Sequence, residues 1–115
     1  MSTEQNISNA RIAARISARL RGEGDIRLRR TFGCPAFYVN GRMFACVHRG
    51  NVTVKLPRAQ VAALLRSSSI RPFQPTERAP MRSWCQLVDG RVTPDEEARL
   101  LVDALRWARG GHHAA

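Results

Sequence analysis

The sequence has no long apolar run, and this absence excludes membrane-spanning proteins. No stretch approaches the roughly 20 apolar residues that a helix needs to cross a bilayer. The N-terminal residues are polar and then arginine-rich, so we expect no secretory signal. The three cysteines, Cys34, Cys46 and Cys85, are an odd number without a Cys-x-x-Cys pair. Scattered thiols of this kind favour a reducing cytoplasm over a disulfide-rich scaffold.

Motifs that cradle phosphate groups are also missing. The only Gly-x-Gly runs from Gly22 to Gly24, and Arg27 stands where a dinucleotide fingerprint needs its third glycine. The only lysine, Lys55, follows Val54 in a strand pattern rather than a glycine-rich loop. The sequence therefore contains no Walker A site.

Catalytic chemistry has one candidate pair. A cysteine nucleophile needs a histidine base, and His48 follows Cys46 by two residues on the same predicted strand. A packed thiol is the commoner role for such a cysteine, and a zinc site would need closer ligand spacing. The acidic cluster Asp95, Glu96 and Glu97 falls in the first turn of a predicted helix, where it caps the helix. We therefore predict no enzyme activity, metal site or cofactor.

What the sequence does contain is an ordinary globular composition with a strong positive charge. The chain has 115 residues, 43% of them hydrophobic, which suffices for one domain with its own core. Nineteen basic residues, eighteen of them arginine, oppose nine acidic ones, for a net charge of +10. Residues 1–66 carry +9 of this charge. We predict a single domain over 1–115, with an ordered core at about 8–109 and a tail at 110–115.

Periodicity predicts the order of the structural elements. Fourfold apolar spacing predicts a helix over 9–21, and alternation predicts a strand from 26 to about 32. Asn40-Gly41 between the apolar runs 36–39 and 43–47 is the strongest short-range hairpin signal. The later elements are a strand over 52–56, a helix over 57–66, an irregular proline-rich connector over 71–82, a strand over 84–88, and a helix that Thr93, Pro94 and Glu96 cap and that continues to about residue 108. The order α-β(3–4)-α-β(1–2)-α predicts an α+β two-layer sandwich on an antiparallel sheet.

The Asn-Gly turn also predicts which hairpin residues face each other. The predicted pairs are Val39 with Arg42, Tyr38 with Met43, Phe37 with Phe44, and Ala36 with Ala45. One face then carries Phe37, Val39, Phe44 and Cys46, and the other carries Tyr38, Met43, Ala45 and Val47. In this register Cys34 and Cys46 point to opposite faces and cannot form a disulfide.

Both faces of the hairpin are apolar, and one layer of helices cannot cover both. A two-residue turn at Gly50-Asn51 places Val54 opposite Val47, and a three-residue turn places it opposite Cys46. The sequence therefore does not decide which face of the hairpin belongs to the core. Either long arginines and the connector cover the second face, or that face is a partner surface. The candidate interface residues are Phe37, Tyr38, Met43 and Phe44. A homodimer is the simplest such interface.

Six arginines in the N-terminal part are candidates for contact with an anion or a nucleic acid. Arginine forks suit phosphate groups, and positive charge attracts polyanions. The alternative interpretation is a solvated face in a chain with a general preference for arginine, since no helix-turn-helix, zinc-finger or RNP signature is present. The six are Arg11, Arg15 and Arg19 at fourfold spacing on the first helix, and Arg27, Arg29 and Arg30 on the first strand.

The segment from Arg30 to Val47 resembles the core of the TfoX/Sxy N-terminal-domain family. Further matching positions are Lys55-Leu56-Pro57, Leu64-Leu65, Arg71-Pro72-Phe73, Pro80-Met81 and Trp84. The resemblance covers about residues 8–109 and departs at Thr31, where the family usually has methionine before Phe-Gly. It implies an α+β fold like that of type III secretion chaperones. It also implies relatives that regulate natural competence and transcription, with a second domain for which we expect this chain to have no room.

Together these observations predict a small non-enzymatic interaction module of the cytoplasm. Its expected partner is a second copy or another protein, and the resemblance implies a regulatory role in transcription or competence. The alternative function is a basic nucleic-acid-binding accessory protein. We expect no small-molecule substrate and no membrane partner.

Overall fold

Six antiparallel strands and three helices make up residues 3–110, the part that the structure, a computed structural model, describes. The predicted tail beyond Gly110 lies outside the described residues. The elements are α1 (Thr3–Arg19), β1 (Ile26–Thr31), β2 (Cys34–Val39), β3 (Arg42–His48), β4 (Asn51–Lys55), α2 (Arg58–Leu64), β5 (Ile70–Phe73), β6 (Met81–Leu87) and α3 (Pro94–Ala108). The predicted α+β fold class is therefore confirmed.

The strands form one sheet in the order β1-β2-β3-β4-β6-β5. The first four strands follow the chain as a meander, whereas β6 inserts between β4 and β5. The two edges of the sheet are therefore β1 and β5. All three helices contribute to one core on the same face of the sheet, as expected for a two-layer sandwich.

Two-residue turns join the first four strands. Asn40-Gly41 has φ values of 51° and 76°, which confirms the predicted hairpin. The turns at Phe32-Gly33 and Arg49-Gly50 have the same left-handed pattern. His48 pairs with Asn51, so the third turn is the two-residue Arg49-Gly50, neither the Gly50-Asn51 turn nor the three-residue turn of the sequence alternatives.

A β-bulge in the β2–β3 hairpin overturns half of the predicted register. Tyr38 pairs with Met43 as expected, but Phe37 pairs with Ala45 rather than Phe44. Phe44 is the extra residue, and the bulge shifts every later residue of β3 to the other face. Val54 consequently lies opposite Ala45, which neither sequence alternative proposed.

The bulge decides which hairpin residues enter the main core. Ala45 and Val47 lie in that core with Phe37, instead of on the opposite face as predicted. Cys46 lies on the opposite face of the sheet, which we call the second face, in a cluster with Ala36. The alternation of β2 places Cys34 on this face too, so the prediction that Cys34 and Cys46 point to opposite faces was wrong. Both thiols are free.

The predicted irregular connector over 71–82 is partly regular. Residues 71–73 belong to β5, and β6 begins at Met81. Pro72 lies in β5 next to a register shift between Pro72 and Phe73. Proline is tolerated there because β5 is an edge strand whose outer side needs no ladder hydrogen bond.

One polar contact caps α3, and another attaches α1 to the sheet. Thr93 accepts a hydrogen bond from the Glu96 N–H at 3.1 Å, so the predicted N-cap of α3 is confirmed. Asn9 of α1, which is 2% exposed, accepts a hydrogen bond from the Gly50 N–H at 2.9 Å. The α1 helix is thereby anchored to the β3–β4 turn.

Candidate interaction surface

Two of the six candidate arginines belong to an internal ion-pair cluster. Arg15 donates to Glu97 Oε1 at 2.7 Å, and Arg19 donates to Glu97 Oε2 at 2.8 Å. Glu97 is only 7% exposed, so the two pairs join α1 to α3 at the border of the core. Arg15 also lies 3.8 Å from Asp89. These two arginines are committed to the fold rather than to an external anion.

Sequence reasoning missed the role of Glu97. Its place in the first turn of α3 pointed to helix capping. The partner residues lie 82 and 78 positions away in the chain, and no local pattern connects such positions. The one sequence feature consistent with this role is the fourfold spacing of Arg15 and Arg19, which places both side chains on the same side of α1, where they can reach one carboxylate.

The remaining four candidate arginines do not form one continuous row. Arg11 is exposed on α1, on the helix side of the sheet. Arg27 and Arg29 are exposed on β1 opposite Tyr38 and Ala36, and directly paired residues point to the same side. Both therefore project from the second face. Arg30 alternates to the helix side and donates to the Gly33 carbonyl oxygen at 2.9 Å.

Arg27 and Arg29 border an aromatic residue and a cavity. The guanidinium carbon of Arg29 lies 5.8 Å from the ring centroid of Tyr38, within reach of a cation–π contact. The Tyr38 hydroxyl is held by a 2.8 Å hydrogen bond with the Thr31 hydroxyl. A cavity of about 600 Å³ is lined by Arg27, Arg29, Tyr38 and Asn40, with one acidic residue, Asp25, at its border. This part of the second face presents cations around a positioned ring.

The four predicted interface residues are divided between the two faces of the sheet. Phe37 and Phe44 are 1% and 0% exposed in the main core, so they are not available to a partner. Tyr38 and Met43 are half-buried on the second face. The proposed interface therefore keeps two of its four residues, because the helices cover the face on which Phe37 and Phe44 lie.

The centre of the second face is covered by side chains of this chain. The rings of Phe73 and His48 meet edge to face with centroids 5.1 Å apart, and Phe73 also lies 6.1 Å from Trp84. β5 stands three strand spacings from β3, about 14 Å in a flat sheet. The rings must therefore lean over the strands between them, where Thr53 and Gln86 are buried. The β1 side of this face, where Arg27 and Arg29 lie, is exposed.

The Cys46–His48 pair does not have the geometry of an activated nucleophile. His48 Nδ1 lies 3.2 Å from Gln86 Nε2, and burial followed by Arg49 lowers the pKa of His48. Burial, and to a lesser degree Cys34, raises the pKa of Cys46 to about 12. At neutral pH the thiol is protonated, and a protonated thiol is a poor nucleophile.

Two features of residues 3–110 concern metal ions and membranes. Among residues 3–110, no three side chains of histidine, cysteine, aspartate or glutamate lie close enough to hold a metal ion. No helix within that part of the chain has the length and apolar character needed to cross a membrane.

Comparisons with known proteins place the chain in one family and one fold. A family model described as the TfoX N-terminal domain matches residues 18–109. A crystal structure of a protein from Pseudomonas syringae superposes with a TM-score of 0.66 at 13% sequence identity. The superposition covers 84% of this chain and 97% of that one. A search of curated proteins finds no match.

Proposed function

Because the chain belongs to the TfoX N-terminal domain family, we propose that it is a small non-enzymatic interaction module that binds an acidic partner protein through the β1 side of its sheet. The proposal includes a cytoplasmic location, which three free cysteines support. It also includes a regulatory role linked to transcription or competence, which rests on the family resemblance alone.

The observation that carries the proposal is that Arg27 and Arg29 are exposed and form no ion pair within the described residues. Arg15, Arg19 and Arg109, in contrast, each have an acidic partner within the chain. Unpaired arginines beside a ring favour an anionic partner, because arginine and tyrosine are both enriched in the cores of protein interfaces.

A partner of opposite charge fits this surface better than a second copy of the chain. Two copies joined through this side would bring Arg27 and Arg29 of each close together, and like charges in an interface oppose association. A homodimer, the simplest partner that the sequence suggested, stays a prediction. Light scattering tests it: a monomer at micromolar concentration supports a different partner, and a dimer supports self-association.

The non-enzymatic part of the proposal rests on the candidate nucleophile. A pKa of about 12 for Cys46 leaves almost no thiolate at neutral pH. The side chain of His48 is directed to Gln86. Rapid labelling of Cys46 by iodoacetamide in the folded protein would contradict this assignment.

A defined polyanion tests the proposed surface. The probe is fluorescent polyglutamate of about 20 residues, and its anisotropy reports binding. Arg27→Gln/Arg29→Gln is compared with Arg66→Gln/Arg91→Gln, which removes two exposed arginines elsewhere and leaves the same net charge. We expect the first variant to bind about tenfold more weakly, since two charge contacts are worth about 1.4 kcal/mol together. Equal losses in both variants would show that net charge alone drives binding and would remove the proposed site.

One specific contact favours single-stranded nucleic acid as a second candidate partner. Arg29 over Tyr38 combines a cation with an aromatic ring, as in proteins that stack bases on a sheet. A gel shift with a single strand of about 20 nucleotides, across a salt series, tests this function. Stacking predicts that Tyr38→Leu weakens binding at every salt concentration. Unchanged affinity in Tyr38→Leu would leave the acidic protein as the preferred partner.

A further inference from the structure

The outer side of β1 is a free edge of the sheet. All six residues of β1 pair with β2 in an uninterrupted register, and no strand among residues 3–110 pairs with the other side. In a hairpin closed by a two-residue turn, the pair next to the turn, here Thr31 and Cys34, is hydrogen-bonded and the pairs then alternate. Leu28 and Arg30 consequently direct their backbone N–H and C=O groups outward. Pro35 lies opposite Arg30, where no N–H is needed for the ladder.

The two edges of the sheet differ in how they are protected. β5 has four residues, contains Pro72 and is interrupted by a register shift, three features that discourage another strand from pairing. β1 has six residues, no proline and no bulge. Its charged side chains are its one protection, and charge selects among partners instead of excluding them all.

The side chains of β1 offer different chemistry on the two faces. Arg27 and Arg29 project from the second face, as described above. Leu28, which is 51% exposed, lies on the helix face beside a cavity of about 240 Å³ that Leu20 and Phe37 also line. A strand added beside β1 would meet Arg27 and Arg29 on one face and Leu28, followed by Arg30, on the other, because strand residues alternate between faces.

We infer that β1 accepts an extended segment of the acidic partner as a seventh strand, with acidic residues opposite Arg27 and Arg29 and apolar residues on the side of Leu28. This inference rests on the proposed function and adds the binding mode and the sequence pattern of the partner. Strand addition derives its affinity from main-chain hydrogen bonds and its specificity from alternate side chains.

A second copy of β1 is a poor occupant of the same edge. Antiparallel self-pairing centred on Leu28 places Arg27 opposite Arg29. Pairing centred on Arg29 places it opposite itself. Like charges directly opposite each other destabilise a strand pair, so the arginines favour an acidic strand.

The test uses the full chain and an acetylated heptapeptide that alternates glutamate and valine. Amide hydrogen exchange is followed by NMR at saturating peptide. We expect the Leu28 and Arg30 amides to exchange at least about tenfold more slowly when they donate to the peptide. The amides on the outer side of β5 serve as the internal control and should not change. A peptide of the same composition with its glutamates grouped at one end should bind about tenfold more weakly, because only alternation satisfies both faces.

Two changes remove the main-chain contacts and keep the charges. N-methylation of alternate peptide nitrogens deletes its donors, and about a tenfold loss of affinity is expected. In the protein, Leu28→Pro deletes an outward N–H, whereas Leu28→Val retains it with a similar apolar side chain. If Leu28→Pro fails to fold, the N-methylated peptide provides the same comparison with the unmodified protein.

The outcomes separate this inference from the proposed function. In one outcome, binding depends on Arg27 and Arg29 while the Leu28 amide still exchanges quickly and N-methylation of the peptide has no effect. That result overturns strand addition and leaves the acidic-partner function standing. Absence of binding by both the heptapeptide and polyglutamate overturns both. If the Leu28 amide exchanges slowly without any peptide and light scattering shows a doubled mass, a second copy of the chain occupies the edge. That result also overturns the inference.

Discussion

Replacing Glu97 by glutamine should destabilise the protein far more than its position in the first turn of a helix suggests. The carboxylate is 7% exposed and accepts hydrogen bonds from Arg15 and Arg19. Glutamine has almost the same shape, so packing changes little. The substitution leaves two guanidinium groups facing a neutral amide at the contact between α1 and α3.

The size of the effect follows from the exposure of the arginines. A hydrogen bond to a charged group contributes about 1.5–3 kcal/mol when it is well buried. The side chains of Arg15 and Arg19 are 41% and 26% exposed, so solvent screens both contacts. We assign about 1 kcal/mol to each and expect Glu97→Gln to lower the free energy of unfolding by about 2 kcal/mol.

Urea unfolding followed by circular dichroism measures this loss. With an m-value of about 1–2 kcal/mol/M for a small domain, the midpoint should fall by about 1–2 M. Glu96→Gln is the matched control, since Glu96 precedes Glu97 and lies 3.7 Å from the exposed Arg99. That change should cost about 0.5 kcal/mol.

Equal effects of the two substitutions would refute the assignment of Arg15 and Arg19 to the fold. A double-mutant cycle of Glu97→Gln with Arg19→Gln gives the same answer from the coupling energy, which should be about 1 kcal/mol. A coupling near zero would mean that the ion pair contributes nothing to stability. Arg15 and Arg19 would then return as candidates for contact with an external anion.

Three further predictions concern single side chains. Phe32 has a φ of 51° and is 98% exposed, so Phe32→Asn should raise the stability by about 1 kcal/mol because asparagine tolerates left-handed backbone; a lower melting temperature would contradict this. Burial followed by the Arg49 charge lowers the pKa of His48, so as pH falls below about 6.5 the unfolded state takes up the proton first and stability declines. His48→Gln should flatten that decline in urea midpoints, and an unchanged pH slope would count against it. Burial raises the pKa of Cys46 to about 12 and that of Cys85 to about 11 from an ordinary 9.0. The stability that these thiols contribute is therefore present below pH 9 and is lost as pH rises toward 11 and 12; replacing both by alanine should flatten the alkaline decline, and a steeper decline would show the reasoning to be wrong.

Turns and caps were predictable because each depends on a few adjacent residues. Asn40-Gly41 takes left-handed φ values that its residue types favour, and Thr93 accepts the hydrogen bond that an N-cap threonine should accept. The turn at Arg49-Gly50 was misplaced by one residue, because arginine is an uncommon choice for its first position. Pro72 likewise led to the prediction of an irregular connector, although it lies in β5. Proline is acceptable there because β5 is at the edge of the sheet.

The face of each β3 residue was not predictable from the hairpin. Residues 43–47 are apolar at every position, so hydrophobicity does not show which of them face the core and which face the other side of the sheet. The bulge at Phe44 decides the face of each residue, because it places both Phe44 and Ala45 in the core. Packing against α1 and α3 satisfies this arrangement, and neither helix is near β3 in the sequence.

The sequence by itself determined the charge, the order of helices and strands, and the position of the Asn-Gly turn. These properties come from composition or from the backbone preferences of neighbouring residues. Only the tertiary structure decided that Glu97 forms ion pairs with Arg15 and Arg19, and that β1 is the less protected of the two edges of the sheet. Both outcomes depend on residues far apart in the chain, whose contact is settled by the burial of the whole core and not by any local pattern.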